Sequence, residues 1–147
     1  MIAFDLSNKN TGIAWNEWPG WHVKSAPFNI DWIARTVREC RGRGHYTAAI
    51  ELPALCNKNP KTYGNLMRLV GAVEALCRIN GIEVTLIPAK TWQASWGIAG
   101  LSRAAGKKRS IEIARQMGVD VANDDESDAV LLGEFALKQR ELERRAK

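Results

Sequence analysis

Met1-Ile2-Ala3-Phe4-Asp5-Leu6-Ser7-Asn8-Lys9-Asn10-Thr11-Gly12 opens the chain, and its reading decides the fold. Met1 to Asp5 is a short apolar, β-compatible run, while Ser7 to Gly12 is dense in turn formers. A buried strand over residues 1–6 followed by a reversal is expected. Residues 11–18 and 21–28 read as two more strands, joined through Pro19-Gly20, a strong turn signal. The three make an antiparallel meander, and Asp5 belongs at a strand end.

Beyond the meander the periodicity changes. Ile30, Ile33, Ala34, Val37 and Cys40 or Arg41 recur at helical spacing until Gly42-Arg43-Gly44 stops the pattern. Tyr46 to Leu52 is a fourth strand that closes on Glu51, with Pro53 preventing its continuation. A loop over Cys56 to Lys61 leads to a helix over Thr62 to Asn80, ended by Gly81. Glu83 to Ile87 is the fifth strand. Pro88 then opens a region with Trp92 and Trp96, a glycine-rich link from Gly97 to Gly106, a helix over Lys107 to Met117, and a last helix from Asp124. Three strands, helix, strand, helix, strand, helices is the order of an α/β fold, a mixed five-stranded sheet flanked by helices.

Composition bounds the function classes. With 147 residues, 46% hydrophobic and 25% charged, the chain is expected to be one globular domain over 1–147. No run approaches the ~18 apolar residues of a membrane span, and no signal peptide opens the chain, so a cytoplasmic protein is expected. Cys40, Cys56 and Cys77 are odd in number and widely spaced, which predicts reduced thiols rather than disulfides or a zinc knuckle. His22 and His45 lie too far apart in sequence to point to a histidine metal site. The net charge is +5. From Val84 to Ile111 there is no acid, while Lys90, Arg103, Lys107, Lys108 and Arg109 are basic, the footprint of a polyanion partner or of a solvated loop.

The acids select between those readings. Asp5 and Glu51 end apolar strands, and Asp125 and Asp128, three apart, share one face of a helix with Cβ atoms roughly 5 to 6 Å apart. Four carboxylates in one pocket repel, each pair at ~4 Å and an effective dielectric of about 20 costing on the order of 4 kcal/mol. Bound cations offset that cost. Hard oxygen ligands select Mg2+ or Mn2+, and two such ions about 3.5 to 4 Å apart suit in-line phosphodiester hydrolysis. Taken singly, each acid has a plainer reading: Asp124 or Asp125 as a helix cap or dipole partner, Glu51 as a solvent-facing loop residue.

Asp5-x-Ser7 followed by Thr11-Gly12, Glu51-x-Pro53-Ala54, Pro88-x-Lys90 with Lys107 or Lys108, and Asn123-x-Asp125-x-x-Asp128-Ala129 together resemble the RuvC family of Holliday junction resolvases in its shorter, phage-like form. The resemblance spans nearly the whole chain in order. It implies a ribonuclease H-like fold, a homodimer, and Mg2+- or Mn2+-dependent nicking of two strands of a branched, four-way DNA junction. It also implies that Asp5, Glu51, Asp125 and Asp128 are the catalytic, metal-holding acids, and that Lys90 with Lys107 or Lys108 binds substrate. Bacterial members carry an aromatic wedge just after the second acid, where this chain has Ala54 and Leu55; Leu55 or Tyr63 is the substitute expected here. Arg103, Arg109, Lys58 and Lys61 complete the expected DNA-binding set. Trp92 and Trp96 are expected in the core rather than in the site. The competing readings are another ribonuclease H-like nuclease acting on flaps or RNA–DNA hybrids, and a non-cutting nucleic-acid-binding module; intact acids at all four positions favour an enzyme.

Overall fold

The computed structural model describes residues 1–7, 9–54 and 59–147. Their order is β1 (Ile2–Leu6), β2 (Asn10–Glu17), β3 (Gly20–Pro27), α1 (Ile30–Gly42), β4 (Thr47–Leu52), α2 (Pro60–Ile79), β5 (Glu83–Pro88), α3 (Ala89–Ser95), α4 (Arg103–Gln116) and α5 (Asp124–Arg145). The five strands form one sheet in the order β3-β2-β1-β4-β5. β1, β2 and β3 pair antiparallel, as the meander requires, whereas β4 runs parallel to both β1 and β5. The expected mixed sheet flanked by helices is the observed one.

Strand alternation divides the side chains between two layers. Ile2, Phe4, Leu6, Ile13, Trp15, Ala48 and Ile50 face α1 and α2, where they pack with Ile33, Val37, Cys40, Val70, Val73 and Cys77. The opposite face is floored by small residues, Ala3, Ala14 and Ala49, and α5 lies on it through Leu131, Leu132, Ala129 and Val130. Gly133 of α5 lets that approach happen: a Cβ there would stand 2.8 Å from Trp21 Cζ3 and 3.1 Å from the Ala3 methyl. Asp5 and Glu51 follow Ala3 and Ala49 by two residues. They therefore point to the α5 side of the sheet.

Several helix boundaries differ from the sequence expectation, each through a local cap. α2 starts at Pro60, two residues early, because Asn59 accepts a hydrogen bond from Thr62 N at 3.1 Å and proline suits the first helical position. α4 starts at Arg103 rather than Lys107, because Ser102 caps it at Ala105 N and Gly106 is carried inside the helix. The stretch after Pro88 is helical at once, as α3. Gly81 ends α2 with φ +69°, as its position predicts. Cys40 and Cys77 are buried free thiols. Among the described residues no helix is long and apolar enough to cross a membrane.

Candidate metal centre

The acids meet at the C-terminal end of β1 and β4. The parallel register runs from Ile2 beside Ala48 to Phe4 beside Ile50, which carries Asp5 and Glu51 to the next rung as neighbours. On its other side Asp5 pairs with Gly12 of β2. Gly12 is where α5 touches down. A Cβ at this position would collide with the carbonyl of Asp125 and stand 3.2 Å from Glu126 N, so only glycine lets the first turn of α5 descend beside Asp5.

That first turn is anchored by a closed polar network. Asn123 caps it, accepting from Glu126 N at 3.0 Å, and donates to Ser25 Oγ at 2.8 Å. Ser25 in turn donates to Glu126 Oε1 at 2.8 Å, and Glu126 Oε2 accepts from Ala122 N at 2.8 Å. The capping role is thus filled by Asn123, not by Asp124 or Asp125. Glu126 is committed to the network, and Asp125 accepts from Asn10 Nδ2 at 3.2 Å. Replacing the cap, Asn123→Ala, is expected to cost about 1 to 2 kcal/mol of stability, measured by denaturant unfolding.

Electrostatics bind the acids into one unit. Burial, followed by the charges of Glu51, Asp128, Asp125 and Asp124, holds the Asp5 carboxyl well above the usual carboxylate range. Burial also pushes Glu51 up to about 7, with Asp128 adding to the push and a hydrogen bond from Trp92 opposing it. Asp128 is raised to about 6, mainly by burial, while the Ser110 hydroxyl and the Lys107 charge draw it down. Trp92 Nε1 donates to Glu51 Oε2 at 2.8 Å. Among the described residues no three His, Cys, Asp or Glu side chains already form a closed metal cage. The all-oxygen donor set and its mutual repulsion nonetheless suit hard divalent cations, with side-chain rotation needed to draw the acids together.

The basic residues separate more than the sequence expectation had them. Lys107 forms an ion pair with Asp124 and, with Arg103, Asp124 and Asp128, lines a cleft of about 260 Å³ beside the acids. Lys108 turns outward and, with Arg109, faces Glu112, each at 4.0 Å. The basic stretch is therefore partly neutralised by an acid one residue beyond its end. Of the alternatives Lys107 and Lys108, it is Lys107 that stands beside the acids. Lys90 and Lys61 are exposed in the first turns of α3 and α2. Lys90 follows Pro88, which is in register with Leu52, so it lies at the same end of the sheet as Glu51. Lys58 and Leu55 lie outside the described residues; Tyr63 is half-buried in the first turn of α2. A larger cavity of about 490 Å³, between β5 and the C-terminal half of α5, contains none of the four acids.

Sequence reasoning missed three supports of this centre. Trp92 is fully buried, as expected of core, yet it holds an acid. Trp96 does stay with the core, donating to Leu131 O at 3.1 Å. In the sequence Gly12 stands only as part of a motif, and Ser25 carries no signal at all. A small residue beside an acid-bearing strand end is the one mark that could have been read.

A five-stranded mixed sheet with β1–β3 antiparallel and β4 and β5 parallel to β1, flanked by helices, is the ribonuclease H-like arrangement. No protein-family model and no curated protein sequence matches the chain. Solved structures do. Thermus thermophilus RuvC in complex with Holliday junction substrate is similar at TM-score 0.63 and 15% identity, covering 89% of this chain and 88% of that one. Another structure of Thermus thermophilus RuvC matches at TM-score 0.63 and 14% identity, with 94% and 95% covered. The fowlpox virus resolvase with substrate Holliday junction DNA matches at TM-score 0.58 and 14% identity, with 95% and 98% covered. The fold is that of RuvC-like resolvases.

Proposed function

We propose that this protein, over 1–147, is a nuclease domain that resolves four-way DNA junctions by paired, metal-dependent phosphodiester hydrolysis. The observation that carries the reading is the placement of Asp5, Glu51 and Asp128, three half-buried carboxylates at adjacent strand and helix ends whose desolvation and proximity raise their carboxyls. A module that only bound DNA would gain affinity by losing them. The junction substrates named with the similarly folded RuvC and fowlpox virus resolvase structures point to the same class of DNA.

In this reading Asp5, Glu51, Asp125 and Asp128 hold two Mg2+ ions, with Mn2+ as a substitute. Bound there, the ions supply an activated water and charge stabilisation at the departing 3′ oxygen. Asp5, on β1 between Glu51 of β4 and the acids of α5, would be a ligand shared by the set, with Glu51 and the α5 acids as the others. Lys107 exchanges its partner Asp124 for the scissile phosphate, whose charge it offsets as the pentavalent state forms. Arg103, Lys90, Lys61, Lys58, Lys108 and Arg109 grip backbone phosphates further along the arms. In this reading the protein acts in the cytoplasm.

Labelled four-way junction, flap, RNA–DNA hybrid and linear duplex, each with protein and Mg2+, test the reading. Symmetric paired nicks in the junction are expected. Cutting of flaps or hybrids alone would transfer the protein to another nuclease class, and binding without cutting would make it a non-cleaving module.

A junction has approximate two-fold symmetry, so paired cuts call for a two-fold dimer. Support comes from α2. Only Val70, Val73 and Cys77 of this helix are buried, Ile79 is 82% exposed, and Gly71, Ala72 and Ala75 face outward. A Cβ at Gly64 or Gly71 would meet nothing within 4 Å, which leaves room for a partner helix to approach closely. Gly71→Asp is expected to convert a dimer of 16.3 kDa chains to monomer in sedimentation without loss of the folded circular dichroism signal. A wild-type protein that sediments as monomer while making paired cuts in one binding event would remove the dimer.

A further inference from the structure

Among the described residues, Glu51 is the one acid of the centre held by an aromatic side chain. Trp92 lies one turn into α3, which starts immediately after Pro88, and Pro88 is in register with Leu52, so the indole is delivered beneath the end of β4. It is fully buried, and its N–H donates to Glu51 Oε2 at 2.8 Å. A buried indole needs an acceptor, but not a carboxylate: Trp96, at the end of the same helix, uses the Leu131 carbonyl at 3.1 Å. Trp92 spends its single donor on an acid of the centre instead.

We propose that Trp92 is a positioning residue for Glu51: its indole N–H occupies one carboxylate oxygen, leaving the other as a single-oxygen ligand that favours small, octahedral Mg2+ over Ca2+. This rests on the reading of the acids as a metal centre. The indole N–H takes one lone pair of Oε2 and fixes the carboxylate plane, so closing on an ion with both oxygens, the mode the larger, higher-coordinate Ca2+ exploits, strains that hydrogen bond. The hydrogen bond also fixes the side-chain rotamer, so ion binding orders less of it.

Trp92→Phe keeps the aromatic packing and deletes the donor. Mn2+ affinity, measured by paramagnetic resonance, and the Mg2+ midpoint of nicking are both expected to weaken about tenfold or more. Ca2+ should compete more strongly in the variant, and junction affinity in metal-free buffer should not move. A variant that binds Mn2+ as the wild type does, in a wild type that binds it, overturns the Trp92 assignment alone. A wild type that binds no Mn2+ overturns the metal centre with it. Should Trp92→Phe fail to fold, the 15N-labelled wild type decides. Of its six indole N–H resonances that of Trp92 should shift during Mg2+ titration, with the same midpoint as nicking, and a stationary resonance would refute the proposal.

Discussion

Gly12→Ala is expected to lower junction nicking by at least about 100-fold, although the substitution adds one methyl group and alters no charge. The added Cβ would stand 2.5 Å from the carbonyl carbon of Asp125. Neither partner can yield cheaply: Gly12 is held in the ladder opposite Asp5, and Asp125 is backbone within a capped helical turn. The first turn of α5 must lift, taking Asp125 and Asp128 with it, and a displacement of about 1 Å in a catalytic constellation costs on the order of 100-fold. Overpacking should also take about 1 to 3 kcal/mol from folding stability. Gly42→Ala is the control, since a Cβ there meets nothing within 4 Å, and its nicking should match wild type. Nicking rates with thermal unfolding on both variants check this. A fully active Gly12→Ala would mean that α5 does not carry the catalytic acids.

Asp5→Asn should abolish nicking and yet make the metal-free protein more stable. If Asp5 is the central acid of the proposed metal centre, its loss should lower the rate by at least about 1,000-fold, about 4 kcal/mol in the barrier. The stability effect follows from the raised carboxyls. A group whose folded-state pKa lies above its unfolded value binds more protons when folded, so stability is greatest at low pH and falls as pH rises through the interval between the two. For Glu51 that interval runs from 4.5 to about 7, and for Asp128 from 3.8 to about 6. The Glu51 interval alone corresponds to on the order of 3 kcal/mol, and because the acids titrate as a set the contributions do not add. Metal-free wild type should therefore lose stability between pH 4 and pH 7 relative to Asp5→Asn, which lacks the central charge. The difference should grow for as long as the raised Asp5 carboxyl is still ionising, and be largest at the alkaline end of the profile. Millimolar Mg2+ should restore the wild type there but not the variant. Equal pH profiles for the two proteins in chelator would show that the carboxylates do not repel one another in the folded state.

The succession of strands and helices, the antiparallel start of the sheet and the ends at which acids stand could be read directly from the sequence. Short continuous apolar runs, ended by Ser7 to Gly12 and by Pro53, place Asp5 and Glu51 at strand ends whatever packs against them, and a spacing of three puts Asp125 and Asp128 on one helix face. These are properties of neighbouring residues, governed by backbone geometry. Which lysine stands beside the acids, which residue caps α5 and what holds Glu51 depended on contacts between segments far apart in the chain, such as Asn10 with Asp125 or Trp92 with Glu51. Lys107 and Lys108 are indistinguishable as sequence, yet one helical step separates a side chain over Asp124 from one in solvent. Gly12 combines both levels. As sequence it is one more turn former after a strand; in the folded chain its missing side chain is the space through which a helix more than a hundred residues later brings its carboxylates down to Asp5.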